Sequence, residues 1–421
     1  DLGVVFVTSA GNNGDVNFHL KYDFTQHSGD TMRTQFTFPY TSATLWGSSI
    51  TMVNSANSPF AFSMNVLDNA CNIIASTPFV PTAGNDGSVD TFLIVNGDTI
   101  VYDYEIHSTN EYNHAPGVRL RVKYDTRYKF GLAVTAAQGV FHAWNVAEIT
   151  KAWGNWGAAF QKPVSHPDWI AGDIEYGIST PANIDEIITV AAHQATFKNP
   201  AGATVGGDIA DFSSSGPGFH NVRKPEISAP GKGVISAISS YTNSYTGNYN
   251  ASVDFNGRTY RFASLSGTSM SSPFVAGVVA LMLQANPYLT VDQVRDIITE
   301  TARNDAQTAA AGVNRFGYGK INAYQAVLKA LVTVGMEEHL EVDATRYSVF
   351  PNPSNGQFYV SVATESQRVQ GALYDIAGRM VYSTVLQPGV NTLDIQNLPS
   401  GYYILRLNDG MEFVTKKIVK K

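Results

Sequence analysis

Cysteine is almost absent. Cys71 is the single thiol in 421 residues, so no disulfide can form within the chain and the fold must be held by packing and hydrogen bonding. A lone thiol reads as a small buried hydrophobe, with a catalytic thiol as the lesser alternative. Charge is scarce too: Asp, Glu, Lys and Arg make up 15% of the residues, and 28 basic against 35 acidic side chains leave a net charge of −7. That balance excludes the basic stripe of a nucleic-acid binder. No apolar run approaches the roughly 20 residues that cross a bilayer as a helix. The opening Asp1-Leu2-Gly3 has no basic leader region. It passes directly into Val4-Val5-Phe6-Val7, a run expected to form a strand buried on both faces of a parallel sheet. A start on such a strand reads as the C-terminal portion of a longer polypeptide. What is plentiful is glycine, with 36 residues, and aromatics, with 21 Tyr and 22 Phe. Together with the length, they predict two or three β-rich domains of a secreted style.

One stretch organises the rest. Leu265-Ser266-Gly267-Thr268-Ser269-Met270-Ser271-Ser272-Pro273 runs straight into the apolar Phe274-Val275-Ala276-Gly277-Val278-Val279-Ala280-Leu281-Met282-Leu283. Small residues passing into a helical pattern place Ser269 at or beside a helix N-terminus, where free backbone N–H groups and the dipole favour negative charge. Pro273 is expected in the first turn, where proline is tolerated. Read locally, Ser and Thr here are either caps or the site of a nucleophile. The full string Gly-Thr-Ser-Met-Ser-Ser-Pro-Phe-Val-Ala-Gly resembles the nucleophile motif of the subtilisin-like serine peptidases, the subtilases, with Phe274 where that family usually has His. The resemblance implies Ser269 as nucleophile, with Gly267 and Thr268 beside the substrate.

A second segment, Val7-Thr8-Ser9-Ala10-Gly11-Asn12-Asn13-Gly14, is a Gly/Asn turn at the end of a strand, the edge at which open α/β sheets bind ligands. It is similar to the oxyanion segment of the same family. That likeness implies Asn12 as the side-chain oxyanion donor and Ser9, Ala10 and Gly11 as substrate-binding backbone. Subtilases run Asp, His, Ser along the chain, so the catalytic Asp and His are expected upstream of residue 1. None of His19, His27, His107, His114, His142, His166, His193, His220 and His339 stands in a local pattern suggesting a base oriented by a carboxylate. Each reads as a surface or core histidine.

Between the two motifs the pattern becomes short alternating strands, among them 34–38, 60–66, 99–104 and 117–122, with Phe141-His142-Ala143-Trp144 as one of the last. Their spacing argues for a sandwich or jelly roll. In placement and style it resembles the jelly-roll insertion of bacterial Csp-type germination subtilases. The turn Gly84-Asn85-Asp86-Gly87 with Asp90 reads as a polar turn, calcium being the alternative. Tyr176–Asn183 leads into the strand Ile187–Ala192. Asp211–Pro217 and Lys224–Gly231 are loop-like locally but match family segments in order, and 241–261 reads as a polar hairpin or surface loop. Thr290 with Gln293 predicts a capped helix, and Gly317-Tyr318-Gly319-Lys320-Ile321-Asn322-Ala323 closes the core in the manner of the family.

An acidic stretch over 334–345 reads as a linker. Beyond it, Phe350-Pro351-Asn352-Pro353, Leu373-Tyr374-Asp375-Ile376-Ala377-Gly378-Arg379 and Leu398-Pro399-Ser400-Gly401-Tyr402-Tyr403 punctuate alternating strands, the makings of a small sandwich. In order and spacing these motifs resemble the C-terminal sorting domain of the Bacteroidota type IX secretion pathway. Such a domain is an address read by outer-membrane secretion machinery, and it implies a secreted or surface location.

The expected fold is thus a partial α/β subtilisin-like parallel-sheet core (1–14 and 175–331), an inserted β-rich jelly-roll or sandwich (15–174), a linker (332–346) and a small C-terminal β-sandwich (347–421). The expected activity is that of a secreted serine endopeptidase on protein or peptide substrates, using no cofactor, calcium aside. Its partner would be an N-terminal part of the same precursor supplying Asp and His, without which this chain is incomplete. The alternative is an inactive pseudopeptidase that binds a surface partner through the insert.

Overall fold

The computed structural model describes residues 4–38, 45–111, 113–149, 157–219, 221–241, 245–333, 347–363, 368–409 and 413–421. They form two compact units. One comprises Val4–Gly277 and Ile298–Asn322, the other the described residues of Val278–Ile297 and Ala323–Lys421. The expected linker and His339 lie almost wholly outside the described residues, as does His220.

The chain opens with β1 (Val7–Ser9). It then builds β2 (His19–Asp23), β3 (Thr31–Phe36), β4 (Leu45–Val53), β5 (Phe60–Leu67), β6 (Ile73–Ser76), β7 (Val80–Pro81), β8 (Gly87–Val95), β9 (Asp98–His107), β10 (Gly117–Lys123), β11 (Lys129–Ala136), β12 (Val140–Ile149) and β13 (Phe160–Gln161). These twelve strands form two antiparallel sheets, ordered β2-β12-β4-β10-β9-β8 and β13-β3-β11-β5-β6, with β7 also pairing β5. Both sheets contribute to one core: Leu20, Ile50, Met52, Leu120 and Phe141 from the first, Met32, Phe36, Met64, Phe130 and Leu132 from the second. The alternation that produces this is plain in β10, where Val118, Leu120 and Val122 are buried between Arg119, Arg121 and Lys123.

Next come β14 (Ile188–Gln194), β15 (Phe197–Lys198), β16 (Thr204–Val205), β17 (Ile227–Lys232), β18 (Val234–Ile238), β19 (Ala251–Phe255) and β20 (Arg258–Leu265). They are followed by α1 (Thr268–Ala285), α2 (Val291–Glu300), α3 (Ala306–Ala311), α4 (Val313–Phe316) and α5 (Ala323–Val332). The parallel sheet is three-stranded, β1-β14-β17. Central β14 is buried at six successive positions, as an apolar strand covered on both faces should be. The opening run departs from expectation. Val4 is 69% and Phe6 52% exposed, because β1 begins only at Val7 and has a neighbour on one side, Ile188–Val190 of β14. The Ala229-Pro230-Gly231 segment, loop-like by composition, is the end of β17. Helix α2 carries the expected capping box: Thr290 Oγ1 accepts from Gln293 N at 3.2 Å and Gln293 Oε1 from Thr290 N at 2.9 Å.

The C-terminal strands are β21 (Tyr347–Phe350), β22 (Gln357–Val362), β23 (Val369–Tyr374), β24 (Met380–Leu386), β25 (Gly389–Asp394), β26 (Gly401–Asn408) and β27 (Phe413–Lys420). They form sheets β21-β22-β25 and β24-β23-β26-β27, which share a core including Phe358, Val360, Leu373, Leu405 and Ile418. This is the small sandwich that the turn spacing predicts.

Candidate active site

The Asn12 turn is built by ladder hydrogen bonding beyond β1, since Ala10 N donates to Val190 O at 3.0 Å. At Gly11 the backbone turns with φ +109°, and a Cβ there would meet Ser179 Oγ and Ser214 Oγ at 2.8 Å, so only glycine fits. Ser179 N and Oγ both donate to Ala10 O, and Asn13 N donates to Ser214 Oγ. The turn is clamped from two loops, and this fixes where the Asn12 side chain starts.

Asn12 is then oriented by Thr268, 256 residues away. Asn12 Oδ1 accepts from Thr268 N at 2.9 Å and from Thr268 Oγ1 at 3.0 Å, while Thr268 Oγ1 accepts from Gly11 N at 3.2 Å. With the oxygen committed to two donors, the amide end, Nδ2, is the one left to act. Among the described residues neither Nδ2 nor Ser269 N donates to a protein acceptor. Both flank one space: the point a Cβ on Gly267 would occupy lies 3.6 Å from Asn12 Nδ2 and 3.7 Å from Ser269 N. Met270 Sδ lies 3.7 Å from the same point. Two donors this close to one point are what the stabilisation of a developing oxyanion requires.

Ser269 is the second residue of α1 and is exposed. Its hydroxyl has no hydrogen bond to any histidine among the described residues. Pro273 proves to be the sixth residue of the helix rather than a first-turn residue. Its missing N–H withdraws the intrahelical donor from the carbonyl of Ser269, because proline has none to give. Gly231 packs beneath the turn: its carbonyl accepts from Gly267 N at 2.8 Å, and a Cβ on it would stand 2.1 Å from Ser271 Oγ.

Of the remaining expected residues, Ala10, Gly267 and Thr268 are buried and Ser9 and Gly11 half-buried. The hydroxyl of Thr268 is turned toward Asn12 and Gly11. Cys71 is buried, with Sγ 3.6 Å from Gln35 Oε1. Asp86 of the candidate calcium turn accepts from Ser108 N and Oγ at 2.6 and 2.5 Å, which holds its carboxylate well below the usual range.

Sequence reasoning missed one group. Buried His19 holds Asp173 Oδ1 through Nδ1 at 2.7 Å and His142 Nδ1 through Nε2 at 2.9 Å. Trp144 stacks on His142 with ring centroids 5.7 Å apart, and Tyr176 lies across both imidazoles. In the tautomer in which His19 Nδ1–H donates to the carboxylate, its Nε2 accepts from His142 Nδ1–H, and Nε2 of His142 carries the remaining lone pair of the chain. Burial, reinforced by His19 and Lys21, pushes His142 down to about 3. The carboxylate that orients His19 is 154 residues away, and no local pattern could have announced it. His193 is a core histidine, bonded to Ser228 Oγ and pushed down to about 4 by burial and by Lys320.

Residues 151–319 match the subtilase family and residues 348–421 the secretion system C-terminal sorting domain. Bacillopeptidase F of Bacillus subtilis is 35% identical over 179 residues, 40% of this chain and 10% of the relative. Serine protease AprX of the same organism is 33% identical over 153 residues, 36% of this chain and 31% of the relative. The matches thus span less than a third of the length of these curated relatives. The structure of the Clostridium perfringens CspB protease shares the fold with a TM-score of 0.53 at 16% identity, covering 78% of this chain and 60% of that one. The segment bearing Ser269 thus matches a subtilase domain, and residues 348–421 match a secretion system C-terminal sorting domain.

Proposed function

We propose that this chain is the nucleophile-bearing part of a secreted subtilisin-type serine endopeptidase. The observation that carries the reading is the convergence of Asn12 Nδ2 and Ser269 N on one space beside the exposed Ser269. Ser269 Oγ attacks the scissile carbonyl, and its proton passes to a histidine that then protonates the leaving amine. The carbonyl oxygen becomes an oxyanion held by the two donors, and water hydrolyses the resulting acyl-enzyme on Ser269. The histidine and its aspartate come from an N-terminal part of the same precursor. Two features support a missing neighbour: β1 has one strand partner, and α1, eighteen residues without a charge, leaves Phe274 and Leu281 exposed. The backbone of Ser9, Ala10, Gly11 and Gly267 lines the substrate, and Thr268 positions Asn12. The sandwich insert is of jelly-roll type, and the C-terminal domain directs export through a type IX pathway to the surface or beyond.

Fluorophosphonate labelling of the purified protein, resolved on a denaturing gel, tests this. Label on the Ser269 band, abolished by Ser269→Ala, is the expected result when the N-terminal part is present. Folded material that never labels with that part supplied favours a pseudopeptidase, a reading supported by the lack of a histidine at Ser269 among the described residues.

A further inference from the structure

The three-stranded sheet β18-β20-β19 leads directly into the nucleophile turn. Its register separates its two faces: Ile235 opposes Ser264, Val253 opposes Tyr260 and Phe255 opposes Arg258. Directly opposed residues share a face and successive ones alternate. One face therefore carries Ile235, Val253, Phe255, Tyr260 and Arg258, and the other Asp254, Thr259, Arg261 and Ala263. On the second face Ala263 is fully buried, while Asp254, Thr259 and Arg261 are exposed. The first is apolar and open: Ile235 is 60%, Val253 55% and Phe255 63% exposed. The segment expected as a polar hairpin or surface loop is an exposed hairpin with one polar and one apolar face. The physical reason is the two-residue period, which collects the apolar residues of a mixed segment onto one side.

The charge on that face is of one sign. The Arg258 guanidinium lies 4.1 Å over the Tyr241 ring and has no carboxylate partner among the described residues. The hairpin's own acid, Asp254, is on the other face and accepts from Thr259 Oγ1 at 2.6 Å. A contiguous exposed apolar patch with a cation at its rim marks an interaction surface. A carboxylate among apolar side chains is what complements it.

We infer that this face is an accessory docking site for protein substrates, which lay an extended segment of apolar residues carrying an acidic side chain against Phe255, Val253 and Tyr260, with the acid on Arg258. The inference rests on the peptidase reading for its choice of occupant. Strand β20 delivers the chain to Gly267 and Ser269, and at roughly 3.3 Å per residue Arg258 stands about 23 Å back along it from Leu265. The docked segment thus lies back along β20 from the nucleophile turn, away from contacts at the scissile bond itself.

Binding can be read without catalysis. Fluorescence anisotropy on the Ser269→Ala chain uses a labelled peptide of alternating Val/Phe and Glu, and its counterpart with Lys for Glu. The glutamate peptide should bind at least about tenfold tighter, a difference of about 1.4 kcal/mol. Arg258→Glu should reverse that preference and Phe255→Ser should weaken binding by a similar factor. Arg261→Glu, the same charge change on the opposite face, should leave the preference in place. Thermal melts establish that each variant folds. Equal affinity for the two peptides, absence of binding, or an equal effect of Arg261→Glu overturns the proposal. So does sedimentation showing self-association that Phe255→Ser abolishes, which makes the face a contact between copies. Fluorophosphonate labelling separately decides the peptidase reading, so the two can fail independently.

Discussion

Two places in this molecule gather chemistry-bearing side chains, and each has what the other lacks. At the nucleophile turn a serine is exposed and two donors are free, yet no histidine bonds its hydroxyl among the described residues. In the insert, Asp173, His19 and His142 form a chain of the kind that orients a base, with aromatic rings around it and no serine hydroxyl on it. The comparison separates placement from composition. A carboxylate-oriented histidine is not catalytic by its own geometry; it needs a nucleophile within hydrogen-bond reach. At the serine the small residues leave room for substrate, whereas the histidines are packed and serve the sandwich.

The largest effect that tests this contrast is on the serine side. In the enzyme with its N-terminal part supplied, Asn12→Ala should lower turnover by about 100- to 1,000-fold, and the loss of both hydrogen bonds from Thr268 should cost about 1–3 kcal/mol of stability, so turnover is compared at a temperature where the variant is folded. A smaller loss would mean that Asn12 does not face the oxyanion. Next is a pH effect on the histidine side. In the folded protein His142 is held down to about 3 and His193 to about 4, chiefly by burial, whereas unfolded histidines titrate near 6.5. Between those limits the unfolded chain binds more protons. Stability is therefore complete above about pH 7 and is lost as the pH falls, by about 1–2 kcal/mol per ring between pH 7 and 5. Urea unfolding across that range should show the slope, and His142→Asn should remove about half of it, His193 supplying the rest.

His19→Ala comes third. It leaves His142 Nδ1 and Asp173 without their shared partner, and should destabilise the fold by about 1–3 kcal/mol without changing fluorophosphonate labelling of Ser269 in the assembled enzyme. A loss of labelling in well-folded protein would join the two regions functionally and break the comparison. Thr268→Val should have the smallest effect. It removes one of the two hydrogen bonds to Asn12 Oδ1, worth about 1 kcal/mol, and should slow turnover about fivefold with little change in KM, since Thr268 acts through Asn12.

The two β-sandwiches were readable because their signals are periodic. Strands such as Gly117–Lys123 alternate strictly, and the C-terminal turns are spelled by Pro, Gly and Asn. The hairpin at 241–261 is a surface hairpin as expected, but its apolar face was not legible because composition averages over faces that register separates. Pro273 was placed a turn too early because helix starts are set by which residue receives a cap, here Thr268 N on Asn12 Oδ1, and the capping residue is 256 positions away.

By itself the sequence determined the order of the motifs, the helix that follows Ser269, the capping box at Thr290 and Gln293, and the alternation that makes both sandwiches. Those properties follow from spacing along the chain and from backbone preferences, which act over a few residues. Only the tertiary structure decided that Thr268 holds the side-chain oxygen of Asn12, that Asp173 orients His19, and that Ile235, Val253 and Phe255 gather on one open face of β18-β20-β19. Each of these depends on which strands pair and on what register they adopt, and hydrogen bonds between residues more than a hundred positions apart exist only once that pairing has been made.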